Sequence, residues 1–247
     1  MNVNLELTDH CNLRCRMCSQ SLREEAHGAP HRFMEFETWR EAVAGLSDLD
    51  NVTLCPHWLG EPTLHPDFDR FVEHAFGDNE GNRRFRHFKL HTNAVILSEA
   101  RAALLTRLAR HERLQPDTFL AIHFSLDAFS AEVYTKVKGA DRREGVFRNV
   151  ERFLEVRGAA ERPVAHVAFV VQDGNVHEAA AFVEHWMPRL RASGREPQLT
   201  GEWPSMNADA VYLRRWNTSD QAHADALHAA ACAAVGLAAS PRAAGSF

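Results

Sequence analysis

The sequence lacks any apolar run close to the ~18 residues that a membrane-spanning helix needs, and its N-terminus lacks the basic and apolar regions of a secretory signal. Both absences argue against a membrane or exported protein and make a soluble cytoplasmic protein the expectation. No internal repeat and no long Gly/Ser or Pro linker divides the 247 residues, so one large domain or two small ones are expected. An excess of positive charge is missing as well. The 28 Lys and Arg face 33 Asp and Glu, a net charge of −5, which argues against a nucleic-acid binder. The 15 histidines add positive charge only below about pH 6.5. Cysteine is scarce, and three of the five, Cys11, Cys15 and Cys18, fall within eight positions; Cys55 and Cys232 stand alone. An odd, clustered set is a poor disulfide framework and a good metal site in a reducing compartment.

What is present is a packed-core composition, 45% apolar and 25% charged, arranged as short apolar runs followed by helical patterns. The strand candidates are Val3–Leu7, Val52–Cys55, Phe88–Thr92, Thr118–Asp127, Val164–Gln172 and, more weakly, Gln198–Trp203. Phe36, Trp39, Val43 and Leu46 repeat at helical spacing, as do Phe68, Phe71, Val72, Ala75 and Phe76. A third series runs Val176, Ala179, Ala180, Val183, Trp186, Met187 and Leu190. Asp67 and Ser98 stand at N-cap positions. Alternating strands and helices imply a parallel sheet with right-handed crossovers. Six such units fall short of a full eight-stranded barrel. The expected fold is therefore α/β, a partial (β/α)6 barrel over 1–206 followed by a short, largely helical C-terminal tail over 207–247, with Ala222–Ala239 helical and Ser240–Phe247 frayed. Function belongs in the loops just after the strands.

The first strand runs into Asp9-His10-Cys11-Asn12-Leu13-Arg14-Cys15-Arg16-Met17-Cys18, a C-x3-C-x2-C spacing. Thiolates suit zinc or iron–sulfur clusters. Three of them leave one iron of a four-iron cubane open, which is what a substrate-binding catalytic cluster needs. A structural zinc wants a fourth protein ligand, and His10 or His27 can supply one, so a zinc site stays open on spacing alone.

In this loop the sequence resembles the radical S-adenosylmethionine (SAM) superfamily. Further motifs follow in order at strand ends. Leu59-Gly60-Glu61-Pro62 resembles the Gly-Gly-Glu-Pro motif that binds the SAM amino group, Thr92-Asn93-Ala94 resembles Thr-Asn-Gly, and Ser125-Leu126-Asp127 resembles the ribose-contacting pair. The resemblance covers roughly residues 3–203. It implies that Cys11, Cys15 and Cys18 hold a [4Fe-4S] cluster whose fourth iron chelates SAM. Met17, Gly60, Glu61, Pro62, Thr92, Asn93, Ser125, Asp127 and Gln172 are then expected at the cofactor, with Met17 where the family usually has an aromatic residue. The implied activity is reductive cleavage of SAM to a 5′-deoxyadenosyl radical that abstracts hydrogen from a substrate. The implied partners are a flavodoxin- or ferredoxin-type reductant and a small molecule in specialised metabolism, or else a short peptide.

The run Ser125–Gly139 with Phe147–Arg157 resembles the subset that carries a SPASM or Twitch extension. The cysteines that such an extension needs are missing, so a single cluster per chain is expected. Only ten residues precede Cys11, leaving no room there for a cobalamin or leader-peptide domain. His123 shares a strand face with Ser125 and Asp127 and reads as a satisfied core histidine or a substrate contact. Cys55 reads as a small buried hydrophobe or a hydrogen-donating thiol. His57 and His91 neighbour the site loops as candidate acids or bases. Arg83, Arg84 and Arg86 form a solvated charge run. A non-catalytic zinc or iron–sulfur module is the rival from another class.

Overall fold

Parallel strands and amphipathic helices alternate through the computed structural model, which describes residues 1–21, 31–46, 49, 51–76, 87–110 and 118–240. His27, the Arg83–Arg86 run and residues 241–247 lie outside the described residues. In chain order the elements are β1 (Asn2–Asn4), α1 (Phe36–Ala44), β2 (Thr53–Cys55), α2 (Phe68–Phe76), β3 (His87–Thr92), α3 (Glu99–Ala109) and β4 (Leu120–Ser125). Then come α4 (Ala131–Lys138), α5 (Arg143–Arg157), β5 (Val164–Val170), α6 (Ala179–Arg191), β6 (Gln198–Thr200), β7 (Ala210–Arg214) and α7 (Gln221–Ala234). All strand pairings within the sheet are parallel, so every strand delivers its carboxyl end to one rim.

The helices form where apolar residues recur every three or four positions. α2 buries Phe68, Phe71, Val72, Ala75 and Phe76, and α6 buries Ala179, Phe182, Val183, Trp186 and Leu190. These stripes pack on Leu54, Phe88, Leu90, Ile122, Phe124, Val167, Phe169, Val211 and Leu213, which form one face of the sheet. The Ser98 hydroxyl caps α3 by accepting from the Arg101 N–H at 3.2 Å. Asp67 precedes α2, and its carbonyl accepts from the Phe71 N–H at 3.2 Å.

β1 is shorter than its apolar run because the chain changes partners beyond Asn4. Leu5 N–H still donates to the Cys55 carbonyl at 2.9 Å, but the Leu7 carbonyl accepts from Met34 N–H at 2.8 Å and Thr8 bridges Phe33 in antiparallel fashion.

The sheet has seven strands in the order β1-β2-β3-β4-β5-β7-β6, one more than the six expected. The extra strand is β7, which lies in the stretch read as a helical tail. It pairs with β5 on one side and β6 on the other. A boundary at 206/207 therefore falls inside the sheet. Arg157 at the end of α5 makes a bidentate ion pair with Asp209, at 2.6 and 2.7 Å, with both side chains fully buried. Asp209 also accepts from the Ala165 N–H of β5 at 2.9 Å. Only α7 keeps the expected helical character. It is held against the sheet through His228, whose Nε2 lies 3.0 Å from the carbonyls of both Gly201 and Leu213. Among the described residues no helix is long and apolar enough to cross a membrane.

Candidate functional site

The cysteine loop is fastened at several points to the rim of the sheet. Arg14 N–H donates to the Lys138 carbonyl at 3.1 Å and Arg16 N–H to Val137 at 2.9 Å, both at the end of α4. Gly139, at φ +76, closes that helix, and a Cβ there would stand 2.6 Å from the Arg14 carbonyl oxygen. The approach admits only glycine. On the other side Glu61 N–H donates to the His10 carbonyl at 2.8 Å, and a Cβ on Gly60 would fall 1.9 Å from the Thr8 oxygen. Gly60 is therefore a packing requirement of the loop that leads into Cys11.

Cys11, Cys15 and Cys18 are free thiols of intermediate exposure. Cys18 N–H closes a turn on the Cys15 carbonyl at 3.1 Å. Burial pushes the Cys11 thiol up to about 11 and raises that of Cys15, against which the Lys138 ammonium works. The Asn93 amide reaches Asn12 Oδ1 at 2.8 Å and stands 3.9 Å from Cys11 Sγ. Met17 is partly buried at the edge of the core.

The carboxylates named at strand ends are turned into the protein. Glu61, 3% exposed, opens a short 3₁₀ turn at Pro62 and accepts from Thr63 N–H. It also accepts from Thr63 Oγ1 at 2.5 Å, Thr92 Oγ1 at 2.7 Å and Asn93 N–H at 2.7 Å. Burial raises its pKa, opposed by these hydrogen bonds. Ala94, where the motif has glycine, takes φ +59, and its carbonyl accepts from the Asn149 amide at 2.8 Å.

Asp127, fully buried and at φ +62, accepts from Lys138 Nζ at 2.7 Å, Ser125 Oγ at 2.9 Å and Val170 N–H at 2.8 Å. Burial opposes the charge of Lys138, but Asp127 outweighs it and raises its pKa. Sequence reasoning missed Lys138; a lysine in the last turn of a helix reads as a solvated cation. Ser125 stays half-buried at the rim. Gln172 is buried, and its Nε2 lacks a hydrogen-bond partner among the described residues.

His123 and Cys55 stand on the opposite face of the sheet from the helix-packed core. Cys55 is 1% exposed, and burial raises its pKa. His57, His91 and His123 stack in sequence, with ring centroids 4.2 and 4.5 Å apart. Burial lowers His57 to about 3 and holds His91 and His123 well below their ordinary value. These imidazoles are neutral near pH 7.

The donor set fits an iron–sulfur cluster: three soft thiols on one loop, next to a lysine that favours the thiolate. Among the described residues no three His, Cys, Asp or Glu side chains surround a single metal-ion position. A cubane does not ask for that, because each iron takes one thiolate.

Parallel strands that deliver a thiol-bearing loop to one rim define a cofactor enzyme of the partial-barrel α/β class. Residues 5–184 match the family model "Radical SAM superfamily", and the chain belongs to that superfamily. The superfamily is one of enzymes that use a [4Fe-4S] cluster and SAM, and the cysteine loop of this chain fits those cofactors. The chain is 30% identical over 221 residues to mycofactocin maturase MftC of Mycobacterium ulcerans (strain Agy99), covering 85% of this chain and 53% of that one. It is 26% identical over 156 residues to GTP 3′,8-cyclase of Pasteurella multocida (strain Pm70), covering 62% of this chain and 41% of the relative. The chain thus spans about half the length of these curated relatives. Among solved structures, native anSMEcpe with bound AdoMet superposes with a TM-score of 0.57 at 17% identity, over 86% of this chain and 51% of that chain. The FeFe-hydrogenase maturase HydG from Carboxydothermus hydrogenoformans gives 0.55 at 13%, over 94% and 51%. These two likenesses are of fold.

Proposed function

We propose that this chain is a radical SAM enzyme acting on a small molecule in the cytoplasm, with Cys11, Cys15 and Cys18 each ligating one iron of its single cluster. The observation that carries the reading is the double fastening of the cysteine loop, to α4 through Arg14 and Arg16 and to the β2 loop through Glu61 N–H. It brings Cys11 within 3.9 Å of the Asn93 amide at the end of β3, which supports a site shared with the strand ends that bear Thr92, Asn93, Ser125 and Asp127. Bound there, a cluster and SAM would supply hydrogen-abstracting radical chemistry, with electrons from a flavodoxin- or ferredoxin-type reductant.

The chain's own residues bind, orient and exclude water. Gly60 and Ser125 are the half-buried rim residues assigned to SAM; the Gly60 N–H is held by Glu6 Oε1 at 2.8 Å and the Ser125 hydroxyl by Asp127 at 2.9 Å, so both are fixed in place. Glu61 and Asp127 are positioning residues: each has its carboxylate bonded inside the protein and fixes the loop beside it. Met17, Pro62, Thr92, Asn93 and Gln172 complete the rim. His123 and Cys55, on the inner face, are the candidates to touch substrate.

The test is anaerobic reconstitution followed by iron analysis and 5′-deoxyadenosine measurement with SAM and a reductant. Wild type should bind about four irons and form 5′-deoxyadenosine, and Cys15→Ala should lose both. Full iron content and unchanged 5′-deoxyadenosine in Cys15→Ala would defeat the assignment. Candidate small molecules and short peptides are then compared for stimulation of product formation.

A further inference from the structure

The face of the sheet turned away from the helices carries side chains that a packed core does not use. His91 and His123 are register neighbours across β3 and β4. Lys89 lies two residues before His91 on the same face, and Tyr212 and Arg214 extend that face along β7. Trp203, in the loop after β6, covers them. Its ring stacks on His123 at 5.0 Å and 12°, packs edge-on to Tyr212 at 5.6 Å, and still leaves 46% of its residue surface exposed.

Lys89 is 8% exposed. Among the described residues its ammonium meets no carboxylate and no hydrogen-bond acceptor, only the face of Trp203 at 4.7 Å. The charges that reach it are the Cys55 thiol and a second cation, Arg214. Arg214 has no acidic partner among the described residues either. The acid facing this region, Glu202, is bonded to Arg215 at 3.0 Å. The Nε2 atoms of His91 and His123 are buried without a hydrogen-bond partner. An ammonium on a largely buried side chain without a counter-charge is costly, and a cation–π contact recovers only part of that cost. Two orphaned imidazole nitrogens add to it. Such groups persist where a ligand completes them.

We propose that this inner face binds the anionic part of the substrate, a carboxylate or phosphoryl group, between Lys89 and Arg214, with His91 and His123 donating from Nε2 and Trp203 covering a flat portion of the molecule. The proposal rests on the radical SAM reading only for calling the ligand a substrate. At about 3.3 Å per strand residue, His123 lies roughly 7 Å below Ser125. Lys89 reaches the anion from one layer below His123, and the exposed Arg214 reaches it from the end of β7, two layers above His123 by register; the rest of the molecule extends toward the rim.

The test uses the full chain, anaerobically reconstituted, with phenyl phosphate and benzoate as anionic probes and benzamide as the neutral control. Binding is read by saturation-transfer NMR and by thermal shift. At least one anion should bind about tenfold more tightly than benzamide, and which one identifies the phosphoryl or carboxylate preference. That preference should vanish in the Lys89→Met/Arg214→Met double variant. Lys89→Met alone, without a probe, should melt at a higher temperature than wild type, because an unpaired buried cation has gone. Anions that bind no better than benzamide overturn the proposal. So does a preference that survives in the double variant, or a lower melting temperature in Lys89→Met. Iron content and 5′-deoxyadenosine formation by wild type test the radical SAM reading separately, so either can fail without the other.

Discussion

Lys138 and Asp127 meet at 2.7 Å with side chains 2% and 0% exposed, and the same ammonium reaches the Ser125 carbonyl at 2.9 Å. The pair joins the end of α4, which holds the cysteine loop, to the end of β4. Lys138→Met strips a fully buried carboxylate of its counter-charge, and a loss of about 3–5 kcal/mol in urea denaturation is expected. Adding Asp127→Asn should recover most of it, because the unpaired charge is then gone. A loss under about 1 kcal/mol would mean that the pair is solvated and contributes as little as a surface pair. The position of Asp127 was legible in the sequence from its alternation with Ser125, but the direction of its carboxylate was not, because that direction follows from a lysine eleven residues away. Ala94 is a similar case. Its left-handed φ costs an L-residue roughly 1–2 kcal/mol, and the Asn149 amide that holds its carbonyl comes from a different helix.

Elements as units explain which parts were readable. Helix α2 buries the whole stripe that its spacing picks out, and α1 and α6 bury most of theirs, with Phe36, Val176, Ala180 and Met187 half-buried, because a period near 3.6 specifies a face without reference to partners. The inner faces of the strands are different. That His57, His91 and His123 form one stack depends on strand register, which is set across the sheet. His166 continues the row on β5, edge-on to His123 at 4.7 Å, and burial lowers it to about 4. The row has a consequence for pH. The unfolded chain protonates each imidazole near pH 6.5, whereas the folded chain resists it until about pH 4 for His166 and about pH 3 for His57. Below pH 6.5 the unfolded state binds more protons. Stability is therefore fully present above that pH and is lost as pH falls, by up to about 1.4 kcal/mol per pH unit for each histidine. The urea midpoint should drop steeply between pH 6.5 and 4, and His123→Gln should flatten the decline. A midpoint unchanged over that range would mean that the imidazoles are hydrated.

For the molecule as a whole, the strand that escaped the sequence reading is the one that ties the others together. Ala210–Arg214 is five residues long, lies in a stretch where the strand–helix alternation fades, and reads as tail. In the fold it separates β5 from β6 and brings Asp209 to Arg157. A chain ending at residue 206 would leave β5 and β6 without their shared neighbour and Arg157 as an uncompensated buried cation. It should show no cooperative thermal transition by circular dichroism. A sharp transition would mean that the first six strands suffice. The order β5-β7-β6 also bears on how the chain leaves the ribosome. Strands β1 to β5 can pair one after another as they emerge, but β6 has nothing to join until the following fourteen residues are out. A nascent chain halted before Arg214 is a barrel open along one side and lacking one of the two cations of the inner face. Until β7 is made, the β5 edge has no neighbour on that side and the inner face beside it is open to bulk water.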